Sequence, residues 1–437
     1  MQVLNWQQLD AGARHAAFAR PAAGQSERVR SEARSIIDQV RRDGAAALLA
    51  LTARFEHAQL SQLQVSDEEF AAARKSLPAD ALAAIERAIA NVRRFHAATT
   101  TAPVAIDVEP GVRCERLIRP LQAVGLYVPA GSAPLPSTAI MLAVPATLAG
   151  CPVRVVCTPP RSDGTADPAV LVAASSAGAT AIFKLGGAQA IAAMAYGIAP
   201  LPKVCKVFGP GNAWVTAAKQ LVAEDANGAA LDMPAGPSEV MVIADATARA
   251  EWIAADLLAQ AEHDPLSQAI LLTDSAPIAQ ATAAAVQAQL LALSRQSVLR
   301  ASVAALRIVR VQDLATAFAI AEDYAPEHLI IETREPRHWL SRVNTAGSVF
   351  LGHYTPESMG DYCSGTNHVL PTYGHARAYS GLGLSDFQRR MTVQELSGDG
   401  LRSLGPTAVT LARLEGLDAH ANAVTIRLAA AGAVATR

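Results

Sequence analysis

The chain reads as an α/β protein with two Rossmann-like lobes built on parallel sheets, helices at its N-terminus and a small helical C-terminal arm. Three observations predict this. From about residue 122, short aliphatic runs alternate with helical segments, the pattern of parallel strands joined by right-handed crossovers. A second series of the same kind begins at residue 239. The first hundred residues, and those after about 382, instead carry apolar residues at helical spacing among charges.

The elements follow in order. Residues 26–56 and 67–99 read as surface-packed amphipathic helices. The first series has strands at 124–128, 153–157, 181–185 and 204–208, with helices at 137–150, 168–178, 188–197 and 212–226. The second has strands at 239–244, 269–273, 306–311, 328–332 and 348–351, with helices at 247–263, 276–294 and 313–324. The tail reads as helical at 385–397, 407–415 and 421–430. This gives an N-terminal helical arm over 1–24, a discontinuous α/β domain over 25–127 plus 239–382, a second α/β domain over 128–238, and a C-terminal helical arm over 383–437.

Composition narrows the classes. Hydrophobic residues make up 51% and charged residues 17% of the 437, so burial is extensive and long disorder is excluded. A formal charge of -2 leaves no electrostatic footprint for nucleic acid or an anionic membrane. The stretch 120–153 carries no charge, but its prolines and glycines cut it into pieces too short to span a bilayer. No signal peptide is visible at the N-terminus, and none of the five cysteines has a partner at C-x-x-C spacing. Reduced thiols in a cytoplasm fit this pattern.

Against this apolar background stand polar islands, and a buried His, Asp or Glu needs a partner, a hydrogen bond or a metal. Gln260 and His263 lie one helical turn apart and can leave the same helix face. Glu327 and His328 follow a proline where a helix gives way to a strand, as two separate proton carriers or a plain charge pair. Asp361 sits in a polar run at 360–371, and His420 follows Glu415 by five residues. The glycine turns at 186–187 and 209–211 each open a helix, whose N–H groups can receive phosphate oxygens. The turn at 209–211 and the pair Gly381 and Gly383 each lack the third glycine of the dinucleotide fingerprint.

Taken together, these segments resemble the histidinol dehydrogenase family from about residue 30 to the end. The runs that carry the resemblance are VGLYVPAGS at 124–132, GGAQA at 186–190, GPGN at 209–212, DMPAGPSE at 232–239, QAEH at 260–263, APEHL at 325–329 and GDYCSGTNHVLP at 360–371. The resemblance implies Gln260, His263, Asp361 and His420 as zinc ligands, and Glu327 with His328 as the proton-transfer pair. It implies Tyr127, Gln189 and Asn212 around NAD. It places Ser238 and Glu415 beside the substrate, L-histidinol, which the zinc ligands and His328 also meet. It further implies a homodimer in which the C-terminal arm is exchanged, so that each site draws Glu415 and His420 from the neighbouring chain.

The residue types suit that chemistry. Oxidising an alcohol to an acid removes two hydrides, and an imidazole titrating near neutrality suits the alcohol proton. A carboxylate beside it suits deprotonation of the water that hydrates the aldehyde. Three rival readings stand beside this one. A zinc hydrolase would employ Glu327 as base on metal-bound water. An aldehyde dehydrogenase, whose two-lobed layout is alike, would use Cys363 as nucleophile. A non-catalytic metal-binding protein would form no NADH.

Overall fold

The computed structural model describes residues 1–21, 27–130, 133–234 and 236–434. Ser26, Gly131, Ser132 and Ala235, which belong to segments singled out in the sequence, lie outside the described residues. The chain forms two compact units. One comprises Met1–Thr99 with Leu121–Phe387, the other Thr100–Pro120 with Gln388–Arg437.

The larger unit holds two parallel sheets. The first contains β4 (Ala123–Tyr127), β5 (Val153–Thr158), β6 (Ala181–Lys184), β7 (Lys206–Phe208) and β8 (Ala230–Leu231), in the order β6-β5-β4-β7-β8. The second contains β1 (Gln2–Asn5), β9 (Glu239–Ala244), β10 (Gln268–Thr273), β11 (Arg307–Arg310), β12 (His328–Glu332) and β13 (Ser348–Leu351). Its order is β1-β11-β10-β9-β12-β13. Every pairing in both is parallel. Such sheets are covered on both faces, which is why β4, β9 and β12 are buried throughout and read as continuous apolar runs.

Helices supply the covers. One face of the five-stranded sheet packs on Pro136–Leu148 and Pro168–Ala177, and the other on Gly187–Tyr196, Ala213–Glu224 and the long helix Glu27–Phe55. The six-stranded sheet packs on Ala250–Ala261, Ala276–Leu290 and Gln296–Ala305 on one side, and on Leu314–Tyr324 on the other. There Phe318 stacks on Trp339 with ring centroids 4.8 Å apart.

The smaller unit departs from the sequence reading. Its core is an antiparallel sheet of β14 (Gln388–Leu396), β3 (Val112–Pro120) and β2 (Val104–Glu109), in that order. Residues 385–397, read as helical, instead form a short 3-10 turn followed by β14. The alternation of β14 is hard to see because most of its residues are exposed, on both faces. The helices Gly398–Leu414 and Asp418–Val434 follow. Ser397 caps the first of them, its hydroxyl accepting from the Gly400 N–H at 3.1 Å. Among the described residues, no helix is long and apolar enough to cross a membrane.

Candidate active site

The amino-terminal edge of the six-stranded sheet gathers the acid and imidazole residues. The helix Ala250–Ala261 runs back from β9 to the start of β10 and delivers Gln260, fully buried, with His263 one turn later. The helix end is pinned where the Ser302 hydroxyl donates to the Ala261 carbonyl at 2.6 Å. His328 is the first residue of β12, and Glu327 stands just before it. Register pairs His328 with Val240, next to Glu239 at the start of β9.

Glu239 holds both members of that pair through its backbone. Its N–H donates to Glu327 Oε2 at 2.7 Å, and its carbonyl lies 3.1 Å from His328 Nδ1. A carbonyl only accepts, so Nδ1 carries a proton, and Nε2 is the nitrogen through which the ring can exchange one. Nε2 is buried without a hydrogen-bond partner and lies 3.6 Å from Asp361 Oδ1. The Glu239 carboxylate turns away to Arg20, which reaches its Oε2 at 3.0 Å and the Tyr324 carbonyl at 2.8 Å. The chain must also pass close here, since a Cβ at Gly347 would sit 2.6 Å from the Glu327 carbonyl.

Asp361 comes from the short helix Glu357–Tyr362, and a spacing of four puts Glu357 on the same face. His263, Glu357 and Asp361 each offer a ligand atom, all within 4.8 Å of one another. Buried carboxylates and an imidazole at this separation fit a divalent cation. His368 ties Asp361 to the other lobe, its Nδ1 2.8 Å from the Asp361 carbonyl and its Nε2 3.3 Å from Thr138 Oγ1.

The electrostatics are those of a crowded acidic pocket. Burial pushes Glu327 up to about 8, against the pull of His328 and the Glu239 N–H. Burial also raises Glu357, again opposed by His328 and reinforced by the charges of Asp361 and Glu327. For His328, burial works downward, but Glu357, Glu327 and Asp361 outweigh it and hold the ring well above its ordinary value. Burial would raise Asp361 too, yet His328 beside it and the imidazoles of His368 and His263 keep it below the usual carboxylate range.

A second cluster occupies the carboxyl edge of the five-stranded sheet. Strand order reverses between β4 and β7, the kind of crevice where open α/β sheets bind ligands. Tyr127 ends β4, and its hydroxyl accepts from the Gly187 N–H at 3.0 Å. Gln189 lies in the first turn of Gly187–Tyr196, with its side-chain nitrogen buried and unpartnered. Asn212 caps Ala213–Glu224 by accepting from Val215 N at 3.1 Å. The turn before it is held by Asp232, which accepts from Gly209 N at 2.8 Å, and by Lys219, which donates to the Gly209 carbonyl at 2.8 Å and pairs with Asp232.

Five of the residues expected from the sequence, Gln260, His263, Glu327, His328 and Asp361, thus lie around the amino edge. Tyr127, Gln189 and Asn212 lie around the carboxyl edge of the other sheet, and Ser238 immediately precedes β9. Glu415 and His420 belong to the smaller unit, at the end of Gly398–Leu414 and the start of Asp418–Val434. The sequence reading missed Glu357, although its four-residue spacing from Asp361 was a usable signal, and missed the anchoring part of Glu239 and Arg20. Cys363 packs with aliphatic residues at the edge of a core cluster.

Comparison with known proteins places the chain in a family. The family profile described as histidinol dehydrogenase matches residues 19–428. The histidinol dehydrogenase of Xanthomonas axonopodis pv. citri (strain 306) is 54% identical over 431 residues, covering 99% of this chain and 100% of the relative. That of Vibrio parahaemolyticus serotype O3:K6 is 50% identical over 428 residues, or 98% of each chain. The crystal structure of histidinol dehydrogenase from Elizabethkingia anophelis superposes with a TM-score of 0.94 at 40% identity, covering 98% of both chains. The chain belongs to the histidinol dehydrogenase family, a family of NAD-dependent oxidoreductases.

Proposed function

We propose that this enzyme oxidises L-histidinol to L-histidine through L-histidinal, using two NAD⁺ and a bound zinc ion, as the last two steps of histidine biosynthesis in the cytoplasm. The observation that carries the reading is the fixed orientation of the His328 ring, with Nδ1 3.1 Å from the Glu239 carbonyl and Nε2 turned toward Asp361. That nitrogen takes the hydroxyl proton as the first hydride leaves for NAD⁺, giving the aldehyde and NADH. Glu327 then accepts a proton from the water that adds to the aldehyde. The hydrate loses its second hydride to the second NAD⁺ and a further proton to solvent, which completes the acid.

Gln260, His263 and Asp361 would hold zinc, which supplies a Lewis-acidic anchor for the imidazole and amine of the substrate. Tyr127, Gln189 and Asn212 would line the nicotinamide cofactor's side, where the two helix N-termini favour phosphate. Ser238 would contact the substrate from the start of β9.

Glu415 and His420 complete the substrate and zinc sites in this reading, supplied by a second copy. The smaller unit leaves Ile106, Leu411, Leu414 and Ile426 more than half exposed, apolar side chains that packing on a second copy would cover. Asp361→Ala and His420→Ala, each inactive alone, should recover activity when co-refolded, because a mixed dimer keeps one intact site. No recovery, with wild type refolding normally, would show that His420 acts within its own chain.

The function itself is tested by following NADH with L-histidinol in the purified, metal-assayed enzyme. Two NADH per histidinol are expected. Turnover without NAD⁺ would instead favour a metal-dependent hydrolase with Glu327 as base.

A further inference from the structure

We infer that Glu357 is a positioning residue that decides which end of the Gln260 side chain faces the metal. The inference rests on the metal reading proposed above. A carboxamide has two ends of nearly equal size, and only its oxygen has a lone pair to give a cation. Glutamine is therefore an ambiguous ligand unless a neighbour selects its orientation.

Glu357 is placed to make that selection. With its nitrogen toward the surrounding acceptors, Gln260 donates to Glu357 Oε1 at 2.8 Å and to Oε2 at 3.2 Å. The same nitrogen lies 3.3 Å from His328 Nδ1, a meeting of two donors that adds nothing to the selection, which rests on Glu357. In the reverse orientation the amide oxygen would face two carboxylate oxygens. Gln260 is 0% and Glu357 1% exposed, so the mismatch would go unrelieved by bulk water.

The carboxylate thus fixes the nitrogen and leaves the oxygen for the cation. Partners that orient a metal ligand in this way are typically worth about 10–100-fold in metal affinity. The obvious rival is direct ligation, since Glu357 also lies within ligand range of His263 and Asp361. The two roles differ in one respect: a positioning residue acts only through Gln260.

Zinc affinity, read by competition with a chromophoric chelator, separates them. Wild type, Glu357→Ala, Glu357→Gln, Gln260→Ala and the Gln260→Ala/Glu357→Ala double variant are compared, with thermal melts to verify folding. Glu357→Ala should lose roughly 10–100-fold in affinity. Glu357→Gln should recover most of it, because its amide oxygen still accepts from Gln260. The double variant should bind no more weakly than Gln260→Ala alone. Undiminished affinity in Glu357→Ala, with Gln260→Ala weakened, overturns the inference and leaves the metal reading standing. A full additive loss in the double variant overturns it in favour of direct ligation. A wild type that holds no zinc removes the metal reading and the inference together.

Discussion

The two parallel sheets of the larger unit are built alike but expose opposite ends to chemistry. In the five-stranded sheet the residues assigned to the cofactor gather where β4 and β7 finish. In the six-stranded sheet the acids and imidazoles gather where β9 and β12 begin. Crossover helices explain the difference. They start at the carboxyl edge of a sheet, so that edge receives N-termini, whose partial positive charge suits phosphate. They finish at the amino edge, so that edge receives C-termini such as that of Ala250–Ala261, whose carbonyl end suits a cation and protonated imidazoles. One architecture thus furnishes an edge suited to anions and an edge suited to cations.

The largest expected effect breaks the amino edge alone. His328→Asn should slow histidinol oxidation roughly 10²–10⁴-fold, the usual scale for a general base, with zinc content unchanged. Glu327→Gln should slow oxidation of histidinal more than that of histidinol. Equal defects of both variants with both substrates would refute the division of labour.

A smaller effect should appear at the carboxyl edge. Gly209 has a φ of +117°, and an added Cβ would lie 2.2 Å from the Tyr127 carbonyl. Gly209→Ala should cost about 1–3 kcal/mol in stability from backbone strain, raise KM for NAD⁺ and leave zinc affinity intact. A change in zinc affinity as large as that in KM would mean the two edges are not independent.

The smallest effect concerns the far end of β12, where Glu332 meets Asp256. Burial pushes Asp256 up to about 7 and Glu332 up to about 8, the latter reinforced by the charge of its neighbour. Both groups titrate higher folded than unfolded, so the unfolded chain ionises first. Their contribution to stability is complete below about pH 4 and is lost as pH rises through about 7 to 8. Glu332→Gln should flatten that decline, measured as Tm between pH 5 and pH 9. Parallel slopes in variant and wild type would exclude the pair as its source.

Much of this layout was legible in the residues, and the gaps have physical causes. The runs at 239–244 and 328–332 match β9 and β12, because strands covered on both faces leave a largely apolar signature, and the run at 348–351 matches β13. β2 was missed because all six of its residues are exposed, and β14 because its apolar residues are not concentrated on a buried face. Pro406, inside the helix Gly398–Leu414, obscured where that helix begins. At the site, residue types announced His263, His328 and Asp361. The contacts of Glu239 were not legible, since it works through a main-chain amide and carbonyl that any residue would supply.

That last feature has a consequence for altering the enzyme. The two groups proposed as bases, His328 and Glu327, are referenced to a single residue's carbonyl and amide, whose side chain is anchored elsewhere by Arg20. A displacement at the start of β9 therefore carries both bases together and preserves their spacing. Variants aimed at one half-reaction must act on Glu327 or His328 directly, whereas substitutions at Arg20 will alter both half-reactions in step.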